Sequence, residues 1–239
     1  MQPTIPIYIE STGKRAFAGA IEWPGWCRGG RNEDQAIEAL VAYGPRYAHV
    51  ARRAGMDPAV ADRAEALHVV QHLPGGASTD YGVPSLAPAA DERPLDGAEL
   101  ARLEALLRAA WETFADTADR AADVPLRLGP RGGGRDLEKI EEHVRMAEEA
   151  YLIQLGARPP SGAASATAGQ VGRRAEAVVM TPLRTAMLAA IEARARDTPI
   201  DNPSGTKKRW LPRYVVRRTA WHALDHAWEI EDRRMSDGG

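Results

Sequence analysis

The chain has 239 residues, with 31 basic and 33 acidic side chains and a formal charge of -2, so nothing draws it generally to nucleic acid or an anionic membrane. Its one cysteine, Cys27, excludes an internal disulfide and a cysteine-based zinc knuckle, and suits a reducing compartment. No apolar run approaches the roughly 20 residues that span a bilayer, and the N-terminus lacks the charged and apolar regions of a signal peptide; the expectation is a soluble cytoplasmic protein, with the Ala- and Arg-rich composition of a high-GC bacterial genome.

The first part alternates as strands do. Ile5, Ile7 and Ile9 share one face, Ser11-Thr12-Gly13-Lys14 turns the chain, and Phe17, Gly19 and Ile21 continue a second strand. Beyond Trp23-Pro24-Gly25-Trp26-Cys27 the period becomes helical: Ile37, Leu40, Val41, Gly44, Tyr47, Ala48 and Ala51 predict one helix from Asn32 to Arg53. Leu67, Val69, Val70 and Leu73, stopped by Pro74-Gly75-Gly76, predict a returning strand. This gives a small β-β-α-β domain over residues 1–75. Residues 76–94, rich in Gly, Pro, Ser, Ala and Asp, are expected to be a linker.

Residues 95–239 predict four amphipathic helices, and so a four-helix bundle. Leu100, Leu103, Leu106, Leu107, Trp111 and Phe114 mark the first, from Leu95 to about Ala122. Leu137, Ile140, Val144, Ala147, Tyr151 and Leu152 mark the second, Asp136 to Leu155. The third runs from Gln170 to Arg196, where Pro182 would kink or split it. Pro212 to Arg233 forms the fourth, and the Ala/Gly/Ser/Pro stretch 157–169 is a connection. The fold class is therefore α+β.

Six histidines include two pairs at i,i+4. His68 and His72 fall in the strand, where four residues span roughly 13 Å, too far to share an ion; they belong to the sheet surface. His222 and His226 fall on the last helix, one turn apart on one face. At about 100° per residue, Arg218, His222, Asp225, His226 and Glu229 share one stripe. Such a stripe is either solvated or lines a polar cavity. His143 decides between them, because it is a polar position flanked by Ile140 and Ala147 on a face that should point inward. A third imidazole from a facing helix completes a metal site with room for water or substrate.

Ile140-Glu141-Glu142-His143, continuing through Ala147 to Leu152, is similar to the second helix of the DinB/YfiT-like bundle proteins, and Val215 through His222 to His226 is similar to their fourth. The resemblance covers about residues 95 to 235. It implies one divalent ion on His143, His222 and His226, most often Zn²⁺ or Ni²⁺; imidazole ligation also suits iron or copper. It implies an enzyme that activates a low-molecular-weight thiol or a water for transfer or hydrolysis, as thiol transferases and mycothiol-dependent isomerases of the family do, and a homodimer through bundle helices. Within that frame Glu229 and Asp225 are candidate orienting or basic groups and Arg218 a carboxylate holder. Trp23 through Gly30, then Glu33 through Leu40, resembles the core of HicB-like antitoxin domains. From that comes the alternative: a non-catalytic metal-containing regulatory or interaction module. Neither a DNA-binding ribbon nor a helix-turn-helix is visible.

Other signals carry less. Gly129-Pro130-Arg131-Gly132-Gly133-Gly134-Arg135 precedes the His143 helix, where Arg131 and Arg135 would clamp a substrate carboxylate or phosphate. It lacks the Gly-Lys-Ser/Thr ending of a P-loop, and a Gly turn with solvated arginines explains it as well. Lys207, Lys208, Arg209, Arg213, Arg217 and Arg218 make the last helix basic at its start, offset by Glu229, Glu231 and Asp232, so a broad nucleic-acid footprint is not expected. Cys27 reads as a small structural cysteine, and Trp221 and Trp228 as packing or dimer contacts.

Overall fold

The computed structural model describes residues 4–57, 64–128, 134–161, 181–205 and 209–234. The fold is α+β: an N-terminal four-stranded sheet and, among the described residues, seven α-helices. The chain divides into two compact units, Met1–Ala109 with Val216–Trp221, and Ala110–Val215 with His222–Gly239.

In the first unit the sheet is built from β1 (Ile5–Ser11), β2 (Ala16–Ala20), β3 (Cys27–Gly30) and β4 (Leu67–Pro74), in the order β3-β2-β1-β4. β1 pairs antiparallel with β2 (Ile9 opposite Ala18), and β2 antiparallel with β3. β4 pairs parallel with β1 (Ile5 opposite Leu67), with a register shift after Ile7. Strand β3 lies outside the expected β-β-α-β plan, because Cys27-Arg28-Gly29-Gly30 has no β-branched residue to announce it.

The single helix expected from Asn32 to Arg53 is two. Helix α1 (Glu33–Ala42) starts at Asn32, whose side chain accepts from Gln35 N, and α2 (Gly44–Arg53) starts anew at Gly44. Pro45 lies in the first turn of α2, where its missing N–H costs nothing but would break a continuous ladder. Ile7, Ile9, Phe17, Trp26, Leu40 and Tyr47 are buried; Trp26 stacks on Tyr47 and donates to the Leu40 carbonyl at 2.8 Å.

Residues 76–94 carry helix α3 (Ala77–Asp80) and a 3-10 turn, Ala89–Glu92. Two buried carboxylates tie them down. Glu10, on β1, accepts from Thr79 Oγ1 at 2.6 Å and from the N–H groups of Ser85 and Leu86 at 2.9 Å. Asp91 pairs with Arg217 at 2.7 Å, and the same guanidinium donates to the carbonyls of Ala20 and Ile21.

The remaining helices are α4 (Gly97–Ala121), α5 (Leu137–Leu155), α6 (Pro182–Ala195) and α7 (Pro212–Arg233). Asp136 caps α5 by accepting from Lys139 N, and Gly156, at φ 115°, ends it in the left-handed conformation that glycine tolerates. At Pro182, where the third expected helix would kink or split, a helix begins. The proline occupies the first position of α6 behind a Thr181 cap, and the earlier part of that expectation, 170–180, lies outside the described residues. Of the expected connection, Ala157 and Arg158 pair with Pro203 and Asn202, and 162–169 lie outside the described residues. No helix among the described residues is long and apolar enough to cross a membrane.

Within the second unit, α5 and α6 pack together and enclose an ion pair. Glu148 and Arg184 are 2% and 5% exposed, joined by hydrogen bonds of 3.0 to 3.3 Å, with the guanidinium 5.1 Å from the Trp111 ring centre.

Candidate metal centre

α5 supplies His143 and α7 supplies His222 and His226, all within the second unit. The neighbours of His143 at i-3 and i+1, Ile140 and Val144, are fully buried, so the face they share is turned inward. On α7 the i,i+4 spacing brings the other two rings edge to face at a centroid separation of 4.7 Å. His222 and His226 are each only 7% exposed. A solvated stripe is thereby excluded for the two rings.

The three imidazoles face one another. Ring centroids lie 5.0 Å apart for His143 and His222 and 5.1 Å for His143 and His226, and one nitrogen from each falls within 4.8 Å of the others. The Nε2 atoms of His143 and His222 are 3.2 Å apart. Two nitrogens bound to one tetrahedral ion at about 2.05 Å lie about 3.3 Å apart, so that pair already stands at ligand separation. Metal-free, the same distance is an N–H···N hydrogen bond, which keeps the rings together.

Hydrogen bonding and charge favour ligand-competent forms. His226 Nδ1 meets Glu229 Oε2 at 2.8 Å, and Glu229 Oε1 accepts from Arg233 Nη1 at 2.5 Å. With Nδ1 engaged, Nε2 is the nitrogen left to bind. Burial, then the charge of Arg135 and the neighbouring His226 ring, hold the His143 pKa below the usual histidine value, favouring the neutral ring a cation needs. The His226 hydrogen bond, helped by Arg233 and opposed by burial, holds the Glu229 carboxyl below the usual carboxylate range. Both its oxygens are engaged. Such a group is a weak base and a good anchor.

The other candidates are placed differently. Asp225 is half-buried on α7, and among the described residues it and Glu229 lie outside the cluster able to hold an ion. Arg218 donates from Nη1 to the Pro84 carbonyl at 2.9 Å and lies 4.7 Å from the Trp221 ring centre. Arg135 is exposed, close enough for its charge to act on His143. Arg131, Lys207 and Lys208 lie outside the described residues. His68 and His72 sit on exposed positions of β4, with His72 3.2 Å from Glu33. Cys27 is buried, its thiol pushed up to about 12.

No family model, curated protein or solved structure matches the chain. Two neighbours of the centre escaped the sequence reading. Tyr151 stands edge-on to His222 at 6.0 Å; at the sequence level it was only an apolar position of the second helix. Arg233, in the sequence only the end of the last helix, pairs with Glu229, and its signal was the i+4 step between them.

Proposed function

We propose that His143, His222 and His226 bind one divalent cation, and that the chain is a DinB-like enzyme using this centre to activate a thiol or a water for transfer or hydrolysis. The observation that carries the reading is the convergence of three ring nitrogens within 4.8 Å. The donor set fits the ion: neutral imidazoles suit Zn²⁺ and Ni²⁺ and leave the charge of the ion uncompensated. A cation so held is a Lewis acid that lowers the pKa of a coordinated thiol or water toward neutrality.

The chain's own residues perform three tasks in this reading. Glu229 orients His226 and carries no proton of its own, since both oxygens accept hydrogen bonds. The ring of Tyr151 covers one side of His222 and limits water there. Arg135, exposed beside His143, supplies positive charge for an anionic substrate group.

The test is elemental analysis of protein purified without added metal, with thiol-dependent transfer and hydrolysis assayed on the same samples. One zinc or nickel per chain is expected, lost in His222→Ala together with activity. Absence of metal from the native chain at micromolar supply, or full occupancy in His222→Ala, overturns the centre. Full occupancy without thiol- or water-dependent turnover overturns the enzyme.

A further inference from the structure

Arg233 closes the last turn of α7, and each of its three guanidinium nitrogens has a partner. Nη1 donates to Glu229 Oε1 at 2.5 Å, Nε to the Arg127 carbonyl at 2.9 Å and Nη2 to the Arg135 carbonyl at 2.8 Å. The backbone reciprocates. Arg127 N donates to the Arg233 carbonyl at 2.8 Å, Leu126 and Arg234 form an antiparallel bridge, and Arg127 Nη2 reaches the Asp232 carbonyl at 2.6 Å. The side chain is only 12% exposed, whereas a cation that merely complements a helix dipole keeps its head in water.

Gly134 gives a second, independent sign. A Cβ placed there would lie 2.6 Å from Arg233 Nη2 and 2.9 Å from its Cζ, so the backbone passes against the guanidinium at a position closed to any side chain in this arrangement. A φ of 140° adds to that restriction.

We propose that Arg233 is a positioning residue for the imidazole centre: pinned by two carbonyls, it holds Glu229, and Glu229 holds His226 as the Nδ1–H tautomer with the Nε2 lone pair presented to the cation. This rests on the metal-centre reading for its purpose but not for its geometry. Without a partner at Nδ1, both tautomers are open, and the Nε2–H form has no lone pair there. A carboxylate held only by His226 is free to change rotamer; the guanidinium fork removes that freedom by binding one oxygen while anchored elsewhere. Lysine, a single-point donor, cannot span the same three acceptors.

Two measurements on the full chain test this. Nitrogen-15 NMR of the histidines in the metal-free protein at pH 8 reads the His226 tautomer, and a chelator competition reads Zn²⁺ affinity. The wild type should show the Nδ1–H form. Arg233→Gln should show mixed tautomers and a 10- to 100-fold weaker Zn²⁺ affinity, the usual scale for losing an outer hydrogen-bond partner. Arg233→Lys should fall between, and Arg234→Gln, an exposed neighbour, should match wild type. Should Arg233→Gln fail to fold, Gly134→Ala displaces the guanidinium while keeping its charge and is read in the same way. A wild-type His226 that is mixed, Nε2–H or doubly protonated, or a variant set that leaves both readouts unchanged, overturns the proposal. Wild-type protein that has the Nδ1–H tautomer but no affinity for Zn²⁺ overturns the metal centre instead.

Discussion

Removing the Glu148 carboxylate should destabilise the second unit more than its loss of contacts suggests. Glu148 lies five positions beyond His143 on α5, and Arg184 on α6 grips it through hydrogen bonds of 3.0, 3.0 and 3.3 Å. Both residues are at least 95% buried, so Glu148→Ala leaves a guanidinium with its main counter-charge gone and little access to water. Breaking one partner of such a pair costs about 3–5 kcal/mol, whereas replacing both with apolar groups of similar size is close to neutral. Urea unfolding followed by tryptophan fluorescence is the assay, with Trp111 under the guanidinium as a reporter. For a slope of about 2–3 kcal/mol per molar, the midpoint of Glu148→Ala should fall by about 1–2 M, and that of the double variant Glu148→Leu/Arg184→Met should stay within about 0.5 M of wild type. A loss below about 1 kcal/mol in the single variant, or equal losses in single and double variants, would refute the argument that an uncompensated buried charge sets the cost.

Two further outcomes follow from buried groups of the first unit. Glu10→Gln replaces the carboxylate that accepts from Thr79 Oγ1 and from the Ser85 and Leu86 N–H groups by a neutral amide with one acceptor oxygen, and should cost about 2–4 kcal/mol in the same unfolding assay. Cys27 should resist iodoacetamide at pH 8 in the native chain and react once unfolded. Burial raises the thiol from its ordinary 9.0 to about 12, so the unfolded state gives up its proton first as pH rises. The stability this group contributes is complete below pH 9 and declines between 9 and about 12, with a ceiling of about 4 kcal/mol. Unfolding midpoints compared at pH 8 and 10.5 should therefore drop further in wild type than in Cys27→Ala.

Periodicity made the long elements legible. The α7 limits, Pro212 to Arg233, follow from proline at the first position and the apolar repeat behind it, and the alternation of β4 put His68 and His72 on exposed positions. What composition hides is physical as well. β3 is a strand because β2 offers it hydrogen bonds, which its Arg-Gly-Gly sequence does not advertise. Pro182 carried two meanings, interruption or beginning, and only the Thr181 side chain accepting from Arg184 N distinguishes them. His222 and His226 were visible from their spacing, and His143 from the apolar positions that flank it. The anchoring of Arg233 was not, because it runs through the backbone carbonyls of Arg127 and Arg135, far away in the chain.

The seclusion of Cys27, the sole cysteine, has a practical consequence. A maleimide probe finds no native target, so a cysteine introduced at Met146, 56% exposed and one turn from His143, becomes a unique attachment point without altering the original thiol. A nitroxide there would sense a paramagnetic ion among the histidines by relaxation enhancement, giving occupancy in an intact, working molecule.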